Sequence, residues 1–322
     1  MGKRLLSGEV VKLDRKFPLV ELDDGSRVRC EHSAELKKRG KLRAVIGDVV
    51  EVAIPDGHDV GIIEAIRPRT TQFVRKDPTE RALPQVLAAN FDRVVVVQPI
   101  DRLNMKRLER ELVLAHETGA AVAVVLTKAD LLDAVAVVEA VRKVADLAGD
   151  SVQVLAASKA DAASVARVRG LIPSGTTSVL IGRSGAGKST LVNLLLGEEA
   201  RATSEVRARD GKGRHKTVSR EMMQLPVVDG EGGGRIVDMP GVRGLGLWDA
   251  EEGIGAAFSD IEELAQGCRF RDCKHAGEPG CAVLAAVEEG ALSRSRLESY
   301  LALQDELAKT ARRREQSSWK NK

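Results

Sequence analysis

Long apolar runs are missing from this chain. None of its 322 residues fall in a stretch approaching the roughly 18 consecutive apolar positions that a membrane-spanning helix needs, so no membrane partner is expected. The N-terminal run from Met1 to Val11 carries basic residues but no sustained apolar segment, and Leu6 stands where a myristoylation signal needs Ser or Thr. No leader or lipid anchor is therefore expected, and a cytoplasmic location is. Cysteine is scarce, with four residues, and in a cytoplasmic protein so few do not suggest a disulfide framework. Aromatic side chains make up 2% of the chain, and residues 1–68 hold only Phe17, which leaves base stacking little to work with. Net charge is also small, at +3.

What is present is ordinary in bulk and uneven in distribution. A content of 43% hydrophobic and 30% charged residues is that of a globular protein, and the length permits two or three domains. Positive charge gathers in three places. Residues 201–220 hold seven Lys and Arg against Glu205 and Asp210; Lys37-Lys38-Arg39-Gly40-Lys41-Leu42-Arg43 forms a second cluster and Arg312-Arg313-Arg314 a third. Basic patches on a nearly neutral chain fit a large polyanion such as RNA, although each alone also reads as a solvated loop.

Short alternating runs at Glu9–Leu13, Leu19–Leu22, Arg27–Cys30, Asp48–Ile54 and Val60–Ile66, broken by Asp24-Gly25 and Pro55-Asp56-Gly57, predict five strands. A small all-β barrel of the oligonucleotide-binding type over 1–68 is expected, touching RNA through Lys and Arg to phosphate. Pro68, Pro78 and Pro84 mark 69–85 as a linker. Beyond it, apolar strands (Phe91–Val97, Ala121–Leu126, Val152–Leu155, Ser178–Ile181, Arg235–Val237) alternate with helices at Lys106–Thr118 and Leu131–Ala148. That βαβ pattern predicts a doubly wound α/β domain over 86–249. Residues 250–322 turn helical and polar and end in a basic tail.

Gly182-Arg183-Ser184-Gly185-Ala186-Gly187-Lys188-Ser189 is a P-loop between a strand and a helix. Its N–H groups face the phosphates, Lys188 reaches the β/γ-phosphates, Ser189 is expected to coordinate Mg²⁺, and Thr190 continues the loop. Asp238-Met239-Pro240-Gly241 ends a neighbouring strand. Asp238 is placed to hold Mg²⁺ directly or through water, and the Gly241 N–H to meet the γ-phosphate. Thr127-Lys128-Ala129-Asp130 resembles the guanine motif: Asp130 can accept from the N1–H and exocyclic amine of guanine, which adenine cannot offer. Thr127 replaces the usual Asn and puts one tethering contact in question. Asp130 also reads as a cap for the helix from Leu131. Ala157-Ser158-Lys159 resembles the second guanine loop, with Ser158 orienting it.

The base motifs precede the P-loop, the reverse of the ordinary order, so the domain is circularly permuted. On these motifs, together with Gly213-Arg214-His215-Lys216-Thr217 and the segment from Asp238 to Trp248, the chain resembles the ribosome small-subunit-dependent GTPase A (RsgA/YjeQ) family over nearly its whole length. The resemblance implies a GTP hydrolase acting in late maturation of the 30S subunit and released on hydrolysis, with 16S rRNA as partner and a monomeric state. It also implies that Thr217 is the switch threonine for Mg²⁺ and the γ-phosphate. Val242 stands where Ras-like enzymes carry a water-orienting glutamine, so slow intrinsic hydrolysis stimulated by the small subunit is expected. His215 is a candidate for orienting water, and equally for contacting RNA phosphate.

Cys268-x₄-Cys273-x-His275-x₅-Cys281 supplies three thiolates and an imidazole, a closed tetrahedral Zn²⁺ set of structural type. Cys30 stands apart and reads as core. Two other functions fit the residues: an RNA-binding assembly factor that uses GTP for affinity with little hydrolysis, and a P-loop ATPase with an RNA-binding barrel, against which Asp130 argues.

Overall fold

The computed structural model describes residues 5–13, 17–38, 43–55, 57–76, 84–197, 220–239, 247 and 250–319. The expectations for His215, Thr217 and Gly241, and for most of the three basic clusters, fall outside these residues.

Five strands, β1 (Leu5–Leu13), β2 (Pro18–Leu22), β3 (Arg27–His32), β4 (Val49–Ala53) and β5 (Val60–Ile66), form the first body, with α1 (Ala34–Lys38) between β3 and β4. Val10, Val20, Cys30, Val50, Val52 and Ile63 alternate inward to a dry core, while Arg27, Arg29 and Glu31 alternate outward. The sheet order β1-β2-β3-β5-β4 closes through β1–β4, and β3–β5 is the parallel pair. This is a five-stranded barrel of the expected oligonucleotide-binding type.

The stretch read as a linker contains part of a hairpin, β6 (Gln72–Lys76) paired antiparallel with β7 (Pro84–Ala89). Proline and charge signalled irregular backbone there. Pro84 stands at the first position of its strand, where a missing N–H costs little.

The α/β body holds the parallel strands β8 (Arg93–Pro99), β9 (Ala121–Thr127), β10 (Gln153–Ala156), β11 (Thr177–Ile181) and β15 (Arg235–Asp238) in the order β10-β9-β8-β11-β15. Next to β15 lies the antiparallel β12 (Arg220–Gln224), and the small hairpin β13 (Val227–Val228) and β14 (Glu231–Gly232) joins β12 to β15. Helices α2 (Met105–His116) and α3 (Ala134–Ala148) belong to the core on one face of this sheet. Helices α4 (Ala162–Gly170) and α5 (Lys188–Leu196) belong to the core on the other. Val94 to Val97 are buried on both faces, which is why β8 reads as an unbroken apolar run. Asn104, Asp133 and Asp161 cap α2, α3 and α4 by accepting from backbone N–H groups. The cap of α3 is therefore Asp133 rather than Asp130, which sits in a short 3₁₀ turn, Ala129–Leu131.

The junction of the two domains was not foreseen. The far end of β1 pairs with β12 (Lys12↔Glu221, Leu13↔Arg220), so barrel and α/β domain share one 11-stranded sheet. A register shift between Val10 and Lys12 lets β1 serve both neighbours. Lys12 donates to Glu221 at 2.7 Å, and Arg235 on β15 pairs with Glu9 on β1.

The remaining chain forms α6 (Glu251–Ala257), α7 (Ser259–Ala265), α8 (Ala282–Glu288) and α9 (Arg294–Trp319). It docks on α2 through ion pairs as well as apolar packing. Arg296 grips both oxygens of Asp260 at 2.6 and 2.7 Å, reaches Glu109 at 3.2 Å and lies 4.6 Å from the Phe258 ring centre. Burial pushes the Glu109 carboxyl above its ordinary range, against the pull of Ser299 and Arg296. Arg110 makes a two-pronged pair with Glu306 at 2.7 and 2.6 Å. No helix of the described residues is long and apolar enough to cross a membrane.

Candidate functional site

The P-loop turns from β11 into α5. Gly182 has φ +145°, and a Cβ there would lie 2.3 Å from the Val97 carbonyl oxygen. Gly187 has φ +88°, and its Cβ would press on the Thr127 side chain at 3.1 Å. Glycine at both positions is thus a steric requirement. Lys188 is buried and donates to the carbonyls of Gly182 at 2.7 Å and Arg183 at 3.2 Å. Burial holds its ammonium below the ordinary lysine range, while Asp238 and Glu111 pull it back up. Bound phosphate would supply the missing counter-charge.

Asp238 ends β15 in register with Leu180 of β11, one strand from the P-loop. Burial raises its carboxyl above the ordinary range, against the field of Lys188, and its Oδ1 is buried without a hydrogen-bond partner among the described residues. An orphaned carboxylate oxygen in the field of the P-loop lysine, with Ser189 exposed next to Lys188 in sequence, is a donor set suited to a hard cation such as Mg²⁺. Ser189 and Asp238 would hold it, and it would offset the negative charge of the β- and γ-phosphates.

Beside the P-loop lies a cavity of about 240 Å³ lined by Thr127, Lys128, Asp130, Leu131, Ser158, Lys159, Gly187, Thr190 and Leu194, among others. The expected base motifs and one flank of the P-loop therefore share a single space. Ser158 donates to Asp130 Oδ1 at 3.0 Å and accepts from the Ala160 N–H at 3.0 Å. Ser164, which the sequence did not single out, accepts from the Ser158 N–H at 3.0 Å and donates to the Asp161 carbonyl at 2.6 Å. Through Ser158 these bonds fix the Asp130 carboxylate at the cavity lining. Lys128 adopts a left-handed backbone, φ +61°, with its ammonium 3.9 Å from Asp101.

Thr127, which stands in place of the usual Asn, makes a tether of its own. Its hydroxyl is buried and donates to the carbonyl of Ala186 in the P-loop at 2.6 Å. Base loop and phosphate loop are tethered directly. Thr127→Val keeps the shape and removes the donor, leaving a buried carbonyl short of a partner at a cost of about 1–3 kcal/mol. GDP and GTP affinities are both expected to fall roughly ten- to hundredfold; a fluorescent-nucleotide titration showing wild-type affinity would remove the tether's role.

The four residues expected to hold Zn²⁺ come together away from this cavity. One ligand atom from each of Cys268, Cys273, His275 and Cys281 lies within 4.8 Å of every other. Cys268 Sγ is 3.9 Å from Cys281 Sγ, and His275 Nδ1 is 3.7 and 3.4 Å from those two sulfurs. Tetrahedral Zn²⁺ with Zn–S near 2.3 Å and Zn–N near 2.0 Å needs edges of about 3.5–3.8 Å; the three edges among Cys268, His275 and Cys281 match this, and Cys273 completes the set within 4.8 Å. Cys281 also caps α8, accepting from the Leu284 N–H at 3.4 Å. Glu278, another residue the sequence reading passed over, is held down to about 2 by the N–H groups of Lys274 and Ala276.

Known proteins place this architecture. A family model described as RsgA GTPase matches residues 66–248. Among curated relatives, a protein of Streptomyces coelicolor named small ribosomal subunit biogenesis GTPase RsgA is 45% identical over 94% of this chain and 80% of its own length. One of the same name from Methanosarcina acetivorans is 38% identical over 88% and 75%. Among solved structures, YjeQ from Thermotoga maritima superimposes with a TM-score of 0.68 at 25% identity, covering 95% of this chain and 99% of that one. YloQ, described as a circularly permuted GTPase, gives 0.66 at 25% identity, covering 95% and 96%. With the permuted motif order, the tethered base and phosphate loops and these matches together, the chain belongs to the RsgA GTPase family.

Proposed function

We propose that this chain binds GTP·Mg²⁺ in the joined P-loop and base cavity, engages the small ribosomal subunit late in its maturation, and hydrolyses GTP to GDP and phosphate to leave it. The observation that carries the reading is the Asp130 carboxylate fixed by Ser158 at a cavity continuous with the P-loop, in a chain whose relatives are named for small-subunit biogenesis. Lys128, Lys159 and Thr190 complete the base and ribose surroundings. Gly182, Arg183, Ser184, Gly185, Ala186 and Gly187 wrap the phosphates, and Lys188, Ser189, Thr217, Asp238 and Gly241 meet the β/γ-phosphates and the ion. Residues 1–68, 86–249 and 250–322 act as barrel, GTPase domain and zinc-bearing helical domain, and 16S rRNA is the polyanion expected at the basic clusters. One structural Zn²⁺ sits on Cys268, Cys273, His275 and Cys281, with the chain monomeric and cytoplasmic.

Val242 offers no group to orient water, so hydrolysis depends on His215 or on the subunit itself. Phosphate release from GTP and from ATP, with and without purified 30S subunits, tests the whole reading. Turnover is expected with GTP alone and to rise with 30S, and to fall in His215→Ala under stimulation. A subunit without effect on turnover would sink the ribosomal role. Stimulated turnover unchanged in His215→Ala would remove that residue from catalysis.

A further inference from the structure

Glu278 lies outside the four metal donors, and the GTPase reading gives it no task. Its two carboxylate oxygens accept from two backbone amides, Oε1 from Lys274 at 2.9 Å and Oε2 from Ala276 at 2.8 Å. Those amides stand on either side of His275. The histidine between them has φ +56°, in the left-handed region that a residue with a Cβ adopts only when its surroundings hold it there. It is also buried, with 7% of its surface exposed, and its Nδ1 faces the sulfurs of Cys268 and Cys281.

We propose that Glu278 is the positioning residue of this metal centre: by bonding both amides that flank His275, it holds that residue's left-handed backbone and so presents Nδ1 as the fourth ligand. The inference rests on the zinc reading above. A carboxylate suits the task because both its oxygens accept. Glutamine keeps one acceptor oxygen and turns the other position into a donor facing an N–H. A thiolate can meet zinc with any of three lone pairs, whereas an imidazole must direct its single ring lone pair at the ion. Loosening the turn therefore removes the nitrogen ligand first, leaving three sulfurs and a water.

Cobalt substitution in the full chain reads this directly, since the visible bands of tetrahedral Co²⁺ report its ligand set. The proteins compared are wild type, Glu278→Ala, Glu278→Gln and His275→Ala, with a fluorescent-GDP titration on each to establish that the nucleotide domain is folded. Wild type is expected to take up one Co²⁺ with the spectrum of three sulfurs and one nitrogen. Glu278→Ala is expected to bind Co²⁺ about 10–100-fold more weakly and to show the bands of His275→Ala. Glu278→Gln, with one of two bonds kept, is expected between them and serves if the alanine variant does not fold. Wild-type affinity and bands in both Glu278 variants would overturn the proposal, as would lowered thermal stability with an unchanged spectrum. A wild-type chain that takes up no Co²⁺ at all would instead overturn the zinc reading, and the role of Glu278 with it.

Discussion

Asp130→Asn is expected to abolish the preference for guanine and to create one for xanthine. Guanine presents an N1–H and an exocyclic amine to the Asp130 carboxylate, both donors meeting an acceptor. Xanthine carries a carbonyl where guanine has the amine, so it suits an amide that both accepts and donates. Each hydrogen bond to a charged group contributes about 1.5–3 kcal/mol; losing the one to the amine and the charge behind the one to N1–H weakens GTP binding roughly 10²–10³-fold. The substitution is nearly isosteric and Asp130 is exposed, so the fold has little reason to change. Ser158 can still donate to the remaining amide oxygen, which keeps the loop in place. Competition of GTP, XTP and ATP against a fluorescent guanine nucleotide gives the answer. Unchanged GTP affinity would mean that the cavity beside the P-loop does not hold the base.

Cys281→Ser is expected to release the metal and to unfold the segment around it while leaving nucleotide binding within a few-fold of wild type. Cys281 is buried, lies against both Cys268 and His275, and caps α8. Structural zinc in small domains contributes about 10–16 kcal/mol of apparent binding free energy, as much as the whole net stability of an ordinary domain, about 5–15 kcal/mol. The loop from Cys268 to Cys281 holds no helix or strand and is ordered otherwise only by a few backbone bonds and those to Glu278. Hydrogen exchange should show residues 266–290 losing protection while β8, β9 and β11 keep theirs, and metal analysis should show no bound zinc. Retained protection in a zinc-free chain would mean that packing of α8 and α9 against the main core suffices without the ion.

The site was legible in the sequence where its chemistry is written in consecutive residues. The P-loop, Thr127 to Asp130, and the Cys₃His set each carry their spacing with them, and the order of the first two already required a permuted domain. The barrel was legible because the short runs that carry Val10, Val20, Cys30 and Val52 are broken by turn signals such as Asp24-Gly25 and Pro55-Asp56-Gly57. Contacts between distant segments were not. Nothing adjacent to Thr127 says that its hydroxyl meets Ala186, 59 residues away. Asp130 was a plausible helix cap because Asp133, three residues on, offers the same chemistry, and only backbone geometry separates them. The hairpin at β6 and β7 was hidden because its pairing stabilises two short segments that read singly as irregular. Glu278 escaped notice because its partners are backbone amides, which leave no mark in a sequence.

The seam between β1 and β12 bears on the order in which the chain folds. All the barrel's own pairings lie within residues 5–66, so it can close early and locally. The seam joins Lys12 to Glu221 across 209 residues, and pairings of such separation are the slow class. Until it forms, β12 is the outer strand of the parallel sheet, a row of free N–H and C=O groups open to pairing with another chain. During synthesis the barrel emerges first and waits for β12, so the first domain made also covers one edge of the second.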